Sequence, residues 1–98
     1  MDKQWVVYIL RCKDDTLYTG ITDNLIRRLA VHRSGKGAKY TRGRSPLTLC
    51  YLQHCESKSE ALRLELEIKK LTRSEKLALI ESNTQNLDEW NEKAPVSD

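Results

Sequence analysis

Apolar and polar positions along the chain change period several times, and each change marks an element. Residues 5–12, WVVYILRC, are β-branched and aromatic and almost continuously apolar. Such a run suits a strand covered on both faces. KDDT follows as a turn. LYTGIT, residues 17–22, is a second strand that completes a hairpin. In TDNLIRRLAVHRSG the period becomes helical, with Leu25, Leu29 and Ile26 directed inward. Thr22 or Asp23 supplies the capping oxygen and Gly35 ends the helix. KGAKYTRGRSP is a basic loop, and LTLCYLQHC a third strand entered just after Pro46.

The second half is helical. SKSEALRLELEIKKL opens on Ser57 with Glu60 three residues later, the signature of a capping box. Ala61, Leu64, Ile68 and Leu71 make its inward stripe. TRSEKLALIE reads as a third helix capped by Thr72 or Ser74. From Asn83 the chain is polar, with Trp90 its only aromatic, and residues 82–98 are expected to be a flexible acidic tail. The order is ββαβαα, a mixed α/β (α+β) fold in which a three-stranded sheet is flanked by helices.

Charge adds a direction. Seven basic residues and no acidic one lie from Arg27 to Arg44: Arg27, Arg28, Arg33, Lys36, Lys39, Arg42 and Arg44. A segment this one-sided attracts polyanions, nucleic-acid backbones first among them. It also reads, more plainly, as a solvated surface. With 98 residues, one domain with one modest core is expected. No apolar run reaches the roughly 18 residues that span a membrane, and no basic start precedes an apolar stretch as in a signal peptide. Cys12, Cys50 and Cys55 lack CxxC spacing and read as reduced thiols of a cytoplasmic protein.

Several residues stand out against this frame. Glu65 falls between Ala61 and Leu62 on the helical wheel, inside the apolar arc. A carboxylate there needs a cationic partner, a bound cation or a place at the rim of the core. Arg28 and His32, four apart, share one helix face. Arg28 can fork onto a phosphate and His32 can move a proton, although both also suit an ordinary basic surface. Whether Tyr8 and Tyr18 meet depends on register. A two-residue turn at Asp14-Asp15 puts them on opposite faces. A three-residue loop, Asp14-Asp15-Thr16, pairs Lys13 with Leu17 and puts them on one face. Gly20 marks either a close approach that leaves room for a ligand above the sheet or a bend into the helix.

VVY at 6–8, YTG at 18–20, Arg28, His32 and Glu65, in this order and spacing, resemble the GIY-YIG nuclease family, and in particular its small stand-alone bacterial members. LYTGIT, RRL, SGKGAKYTRGR.P and SEALRxExxIKKL carry the resemblance over residues 5–81. Val6 stands at the glycine of GIY, Thr19 at the isoleucine of YIG, and Ile21 where some relatives carry lysine. A late asparagine of some repair nucleases has no obvious counterpart.

The resemblance implies a GIY-YIG fold and a divalent-metal-dependent endonuclease, acting in DNA repair or recombination. DNA stands ahead of RNA as its substrate, and a protein partner is left open. It implies that Tyr8 and Tyr18 are the motif tyrosines, which requires a shared sheet face and a hairpin loop with an odd number of residues. Arg28 matches the phosphate-binding arginine, His32 a position near the nucleophilic water, and Glu65 the single ligand of one Mg²⁺ or Mn²⁺. Gly20 borders the groove, and Arg27, Arg33, Lys36, Lys39, Arg42 and Arg44 grip the backbone. The alternative is a nucleic-acid-binding module with little or no turnover.

Overall fold

The computed structural model describes residues 4–33, 47–83 and 87–93. Three antiparallel strands, β1 (Trp5–Arg11), β2 (Leu17–Thr22) and β3 (Thr48–Cys55), form one sheet in the order β2-β1-β3. β1 lies in the middle, and its residues 6–10 are all buried. That is why its sequence does not alternate: both of its faces are covered. On one face Val6, Tyr8 and Leu10 pack with Leu49, Leu52 and, from helix α1 (Leu25–Arg33), Leu25 and Leu29. On the other, Val7, Ile9 and Tyr51 pack with Ala61 and Ile68 of α2 (Lys58–Lys69) and with Leu79 and Ile80 of α3 (Arg73–Ser82). A bulge between Ile9 and Leu10 in the pairing with β3 puts Cys50 and Tyr51 on the same side.

The hairpin register pairs Tyr8 with Gly20 and Leu10 with Tyr18. Opposed residues of antiparallel strands share a face, so both tyrosines lie on the α1 side. The loop is Cys12–Thr16, since Arg11 pairs with Leu17. It is odd, but two residues longer than the Lys13–Leu17 pairing requires. Asp15 takes the left-handed conformation (φ 64°), which a short polar side chain tolerates. Cys12 N–H donates to Thr16 O and Asp15 N–H to Cys12 O, both at 2.9 Å. These bonds pull pairing back from Lys13 to Arg11.

The first helix starts one residue later than a cap at Asp23 requires and two later than one at Thr22. Asn24 caps it, its side-chain oxygen accepting from Arg27 N–H at 3.2 Å, while Thr22 Oγ1 accepts from Asn24 N–H at 3.0 Å. Ile26, expected inward, is exposed. Ser57 caps α2, and at α3 Thr72 and Glu75 close a reciprocal capping box.

Two expectations are corrected in the same place. Residues 88–93 are not a loose tail but a short helix, α4 (Asp88–Lys93). Leu87 and Trp90 pack on the core face formed by Val6, Tyr8 and Leu10. Arg33 is not a surface phosphate contact but is buried. Its Nε donates to Leu47 O at 3.1 Å, and Nη1 and Nη2 donate to Asn91 O and Oδ1 at 2.8 and 2.6 Å. Asn91 Oδ1 also accepts from Leu49 N–H at 2.9 Å, and its Nδ2 donates to Leu49 O at 3.2 Å. A buried guanidinium needs such acceptors, and burial pushes its pKa down. No helix among the described residues is long and apolar enough to cross a membrane.

Candidate active site

β1 and β2 present Tyr8 and Tyr18 on one face of the sheet, and α1 lays Arg28 and His32 over them from successive turns. The three rings form a close group. Centroids are 6.4 Å apart for Tyr8 and Tyr18, 5.9 Å for Tyr8 and His32, and 5.3 Å for Tyr18 and His32. Tyr8 Oη and His32 Nε2 share a hydrogen bond of 3.0 Å. With the ring proton on Nδ1, Nε2 accepts from the phenol. The Arg28 guanidinium acts electrostatically on the Tyr8 and Tyr18 hydroxyls, on Tyr8 most.

Burial dominates the electrostatics. Tyr8, 1% exposed, is pushed up to about 12, chiefly by desolvation. Arg28 works against that rise, and the charges of Tyr18 and Glu65 add to it. His32, fully buried, is pushed down to about 4 by desolvation and by the Arg28 charge. Arg28 is pushed up, first by Tyr8. At neutral pH the cluster is therefore a neutral imidazole, a protonated phenol and a fixed cation. The phenol keeps its proton, because an imidazole held at about 4 is a far weaker base than the Tyr8 phenolate, and Arg28 offsets the charge of any phenolate that forms.

That arrangement has a consequence for stability. The native His32 ring stays neutral down to about pH 4, whereas the unfolded ring takes up a proton below 6.5. Between those values the unfolded state binds more protons. His32 thus removes up to about 3 kcal/mol of stability as pH falls through that window. Above it the contribution is constant. His32→Gln, which can still bond Tyr8, is expected to lose this slope. Urea denaturation near neutrality and near pH 4 checks it, and equal pH dependence in both proteins contradicts the assignment.

Glu65 comes from the opposite layer. It sits on α2, which packs against β2 and β1 on the other side of the sheet. Its side chain is 16% exposed, and Oε2 lies 3.4 Å from Lys69 Nζ. Its charge still reaches the Tyr8 hydroxyl. Among the described residues no group of three or more His, Cys, Asp or Glu side chains could hold a metal. One partly exposed carboxylate fits a cation that keeps most of its waters and shares them with a substrate phosphate, as Mg²⁺ does.

Gly20 departs from the expected open border. It is buried, and a Cβ added there meets Tyr8 Oη at 2.6 Å and Tyr8 Cζ at 2.8 Å. The tyrosine itself fills the room the missing side chain leaves. The open space lies beside it, in a groove of about 550 Å³ lined by Thr22, Asp23, Asn24, Arg27, Arg28 and Val31. Lys36, Lys39, Arg42 and Arg44 fall outside the described residues. Lys69, Arg73 and Lys76, by contrast, line grooves at β2 without having been singled out in the sequence. Glu65, Glu67 and Glu75 lie close to them along the chain, so no long run of one sign marks them.

Comparison with known proteins identifies the domain. Residues 4–78 match the family model described as the GIY-YIG catalytic domain. A UPF0213 protein of Oceanobacillus iheyensis is 56% identical over 85 residues, covering 87% of this chain and 99% of that one. One from Natronomonas pharaonis is 51% identical over 80% of this chain and 92% of its own. The solution NMR structure of a UPF0213 protein from Bacillus halodurans is 44% identical, with a TM-score of 0.56 over 96% of this chain and 99% of that one. That of a protein from E. faecalis is 36% identical, with a TM-score of 0.59 over 87% and 92%.

Proposed function

The chain belongs to the GIY-YIG family, a nuclease family, and from that premise we propose that it is a divalent-metal-dependent endonuclease acting on DNA. The observation that carries the reading is the close group of Tyr8, Tyr18 and His32, with Tyr8 hydrogen-bonded to His32 and the Arg28 charge acting on it. Tyr8, fixed in place by His32, orients a water for attack on a phosphodiester and, once ionised, takes its proton. Arg28 neutralises charge on the non-bridging oxygens. Glu65, together with the substrate phosphate, would hold the cation, which would supply Lewis-acid stabilisation of the leaving oxygen. The Glu65 charge, although beside Lys69, raises the Tyr8 pKa. Neutralising that charge lowers the pKa, so that more of Tyr8 is phenolate near neutrality when the complex assembles.

The observation that favours a second reading is the same one. A phenol pushed up to about 12 is a poor base near neutrality, which suits a module that binds nucleic acid and does not cut. Incubation with forked DNA, flap DNA, single strands and RNA, in Mg²⁺, in Mn²⁺ and in chelator, separates the two. Metal-dependent cleavage of DNA supports the nuclease. Binding without cleavage of any of the four supports the module.

A further inference from the structure

Two grooves meet at the free edge of β2. One, of about 340 Å³, is lined by Leu17, Tyr18, Thr19, Lys69 and Lys76. The other, of about 190 Å³, is lined by Thr16, Leu17, Arg73 and Lys76. Leu17 and Lys76 belong to both, so the two are one trough running from Tyr18 to the start of α3. Every charged side chain that lines it is cationic. The nearby acids are turned to other partners. Glu65 faces Lys69, and Glu75 accepts from Thr72 N–H at 2.9 Å in the α3 capping box. Neither the core nor the cluster around Tyr8 requires cations at this edge.

We infer that the trough binds the phosphate backbone of the same nucleic acid that enters the site, with Arg73 and Lys76 as its contacts. This rests on the proposed nuclease reading. Tyr18 is the join. It lines the trough, and Arg28, whose charge acts on the Tyr18 hydroxyl, lines the groove beside Arg27. A strand laid through both is held on either side of the reacting phosphodiester. Two anchors flanking one bond fix its orientation, where a single patch leaves it free to pivot. The contacts are to backbone, so they position the strand and carry no sequence preference. Lys69 stands next to Glu65 and is set apart from this role.

The test is fluorescence anisotropy with a labelled forked DNA, in chelator so that nothing is cut, over a series of salt concentrations. The proteins are the wild type, Arg73→Ala, and the double variant Arg73→Ala/Lys76→Ala. Each lost phosphate contact lowers the slope of log affinity against log salt by about 1. The expected result is therefore a slope lower by about 1 for the single variant and about 2 for the double. Affinity falls several-fold, equally on unrelated sequences. Arg73 is exposed, so its replacement spares the fold, and circular dichroism verifies both variants. Wild-type binding with unchanged slope and affinity in both variants overturns this inference and leaves the nuclease reading standing. A wild type that binds neither the fork nor single strands overturns both.

Discussion

Glu65→Gln is expected to lower metal-dependent cleavage on the order of 10³-fold, equivalent to about 4 kcal/mol of transition-state stabilisation, while leaving nucleic-acid binding in chelator intact. The substitution keeps shape and polarity and removes one charge. Its structural cost is small, because the partner is Lys69, whose side chain is 51% exposed, and ion pairs of that kind contribute little. Loss of activity on this variant therefore reports on the site rather than on folding. A second readout fixes the cause. In the metal-free protein the Glu65 charge raises the Tyr8 pKa, so Glu65→Gln should lower it. A tyrosinate absorbance titration shows this as an earlier onset at alkaline pH. A phenolate made more available near neutrality by the change does not explain slower cleavage, whereas a lost cation ligand does. Wild-type rates in the variant rule Glu65 out as that ligand.

The uneven legibility of the chain has physical causes. The unbroken apolar run of β1 announces a strand buried on both faces, and burial of residues 6–10 bears that out. The hairpin register was harder, because it depends on a backbone choice at Asp15 and on two hydrogen bonds across Cys12–Thr16. Sequence patterning specifies parity through the faces of Tyr8 and Tyr18 but leaves a shift of two residues open. Arg33 was hidden in a run of like charge. What distinguishes it is a long-range partner, Asn91, fifty-eight positions away. Asn91 and Trp90 were hidden in turn by the polar composition around them. A short helix that docks through Leu87 and Trp90 has too few apolar residues to show a period. Glu65 was conspicuous because a carboxylate inside an apolar arc conflicts with burial. The cations of α3 conflict with nothing and drew no notice until β2 lay beside them.

Gly20→Ala is the sharpest test of how tightly the cluster is built. The added methyl falls 2.6 Å from Tyr8 Oη, 2.8 Å from Cζ and 3.1 Å from Tyr18 Cε2. Contacts of that length force something to move. The Gly20 backbone is paired with β1, so the tyrosine rings must give way. Tyr8 is itself enclosed, with its hydroxyl on His32 at 3.0 Å. Overpacking in such surroundings costs roughly 1–3 kcal/mol, read as a lower denaturation midpoint. Displacing a reacting group by about 1 Å costs on the order of 10²-fold in rate. The two losses share one origin, which a double-mutant cycle isolates. In a Tyr8→Phe background the shortest contact is gone, although Cζ remains. Gly20→Ala should then destabilise less than it does beside tyrosine, with a coupling of about 0.5 kcal/mol or more. Activity should not return, because the hydroxyl that reaches His32 is absent. Additive stability effects would mean that the methyl is absorbed without touching Tyr8. They would free Gly20 from the site and return it to the ordinary business of a strand end.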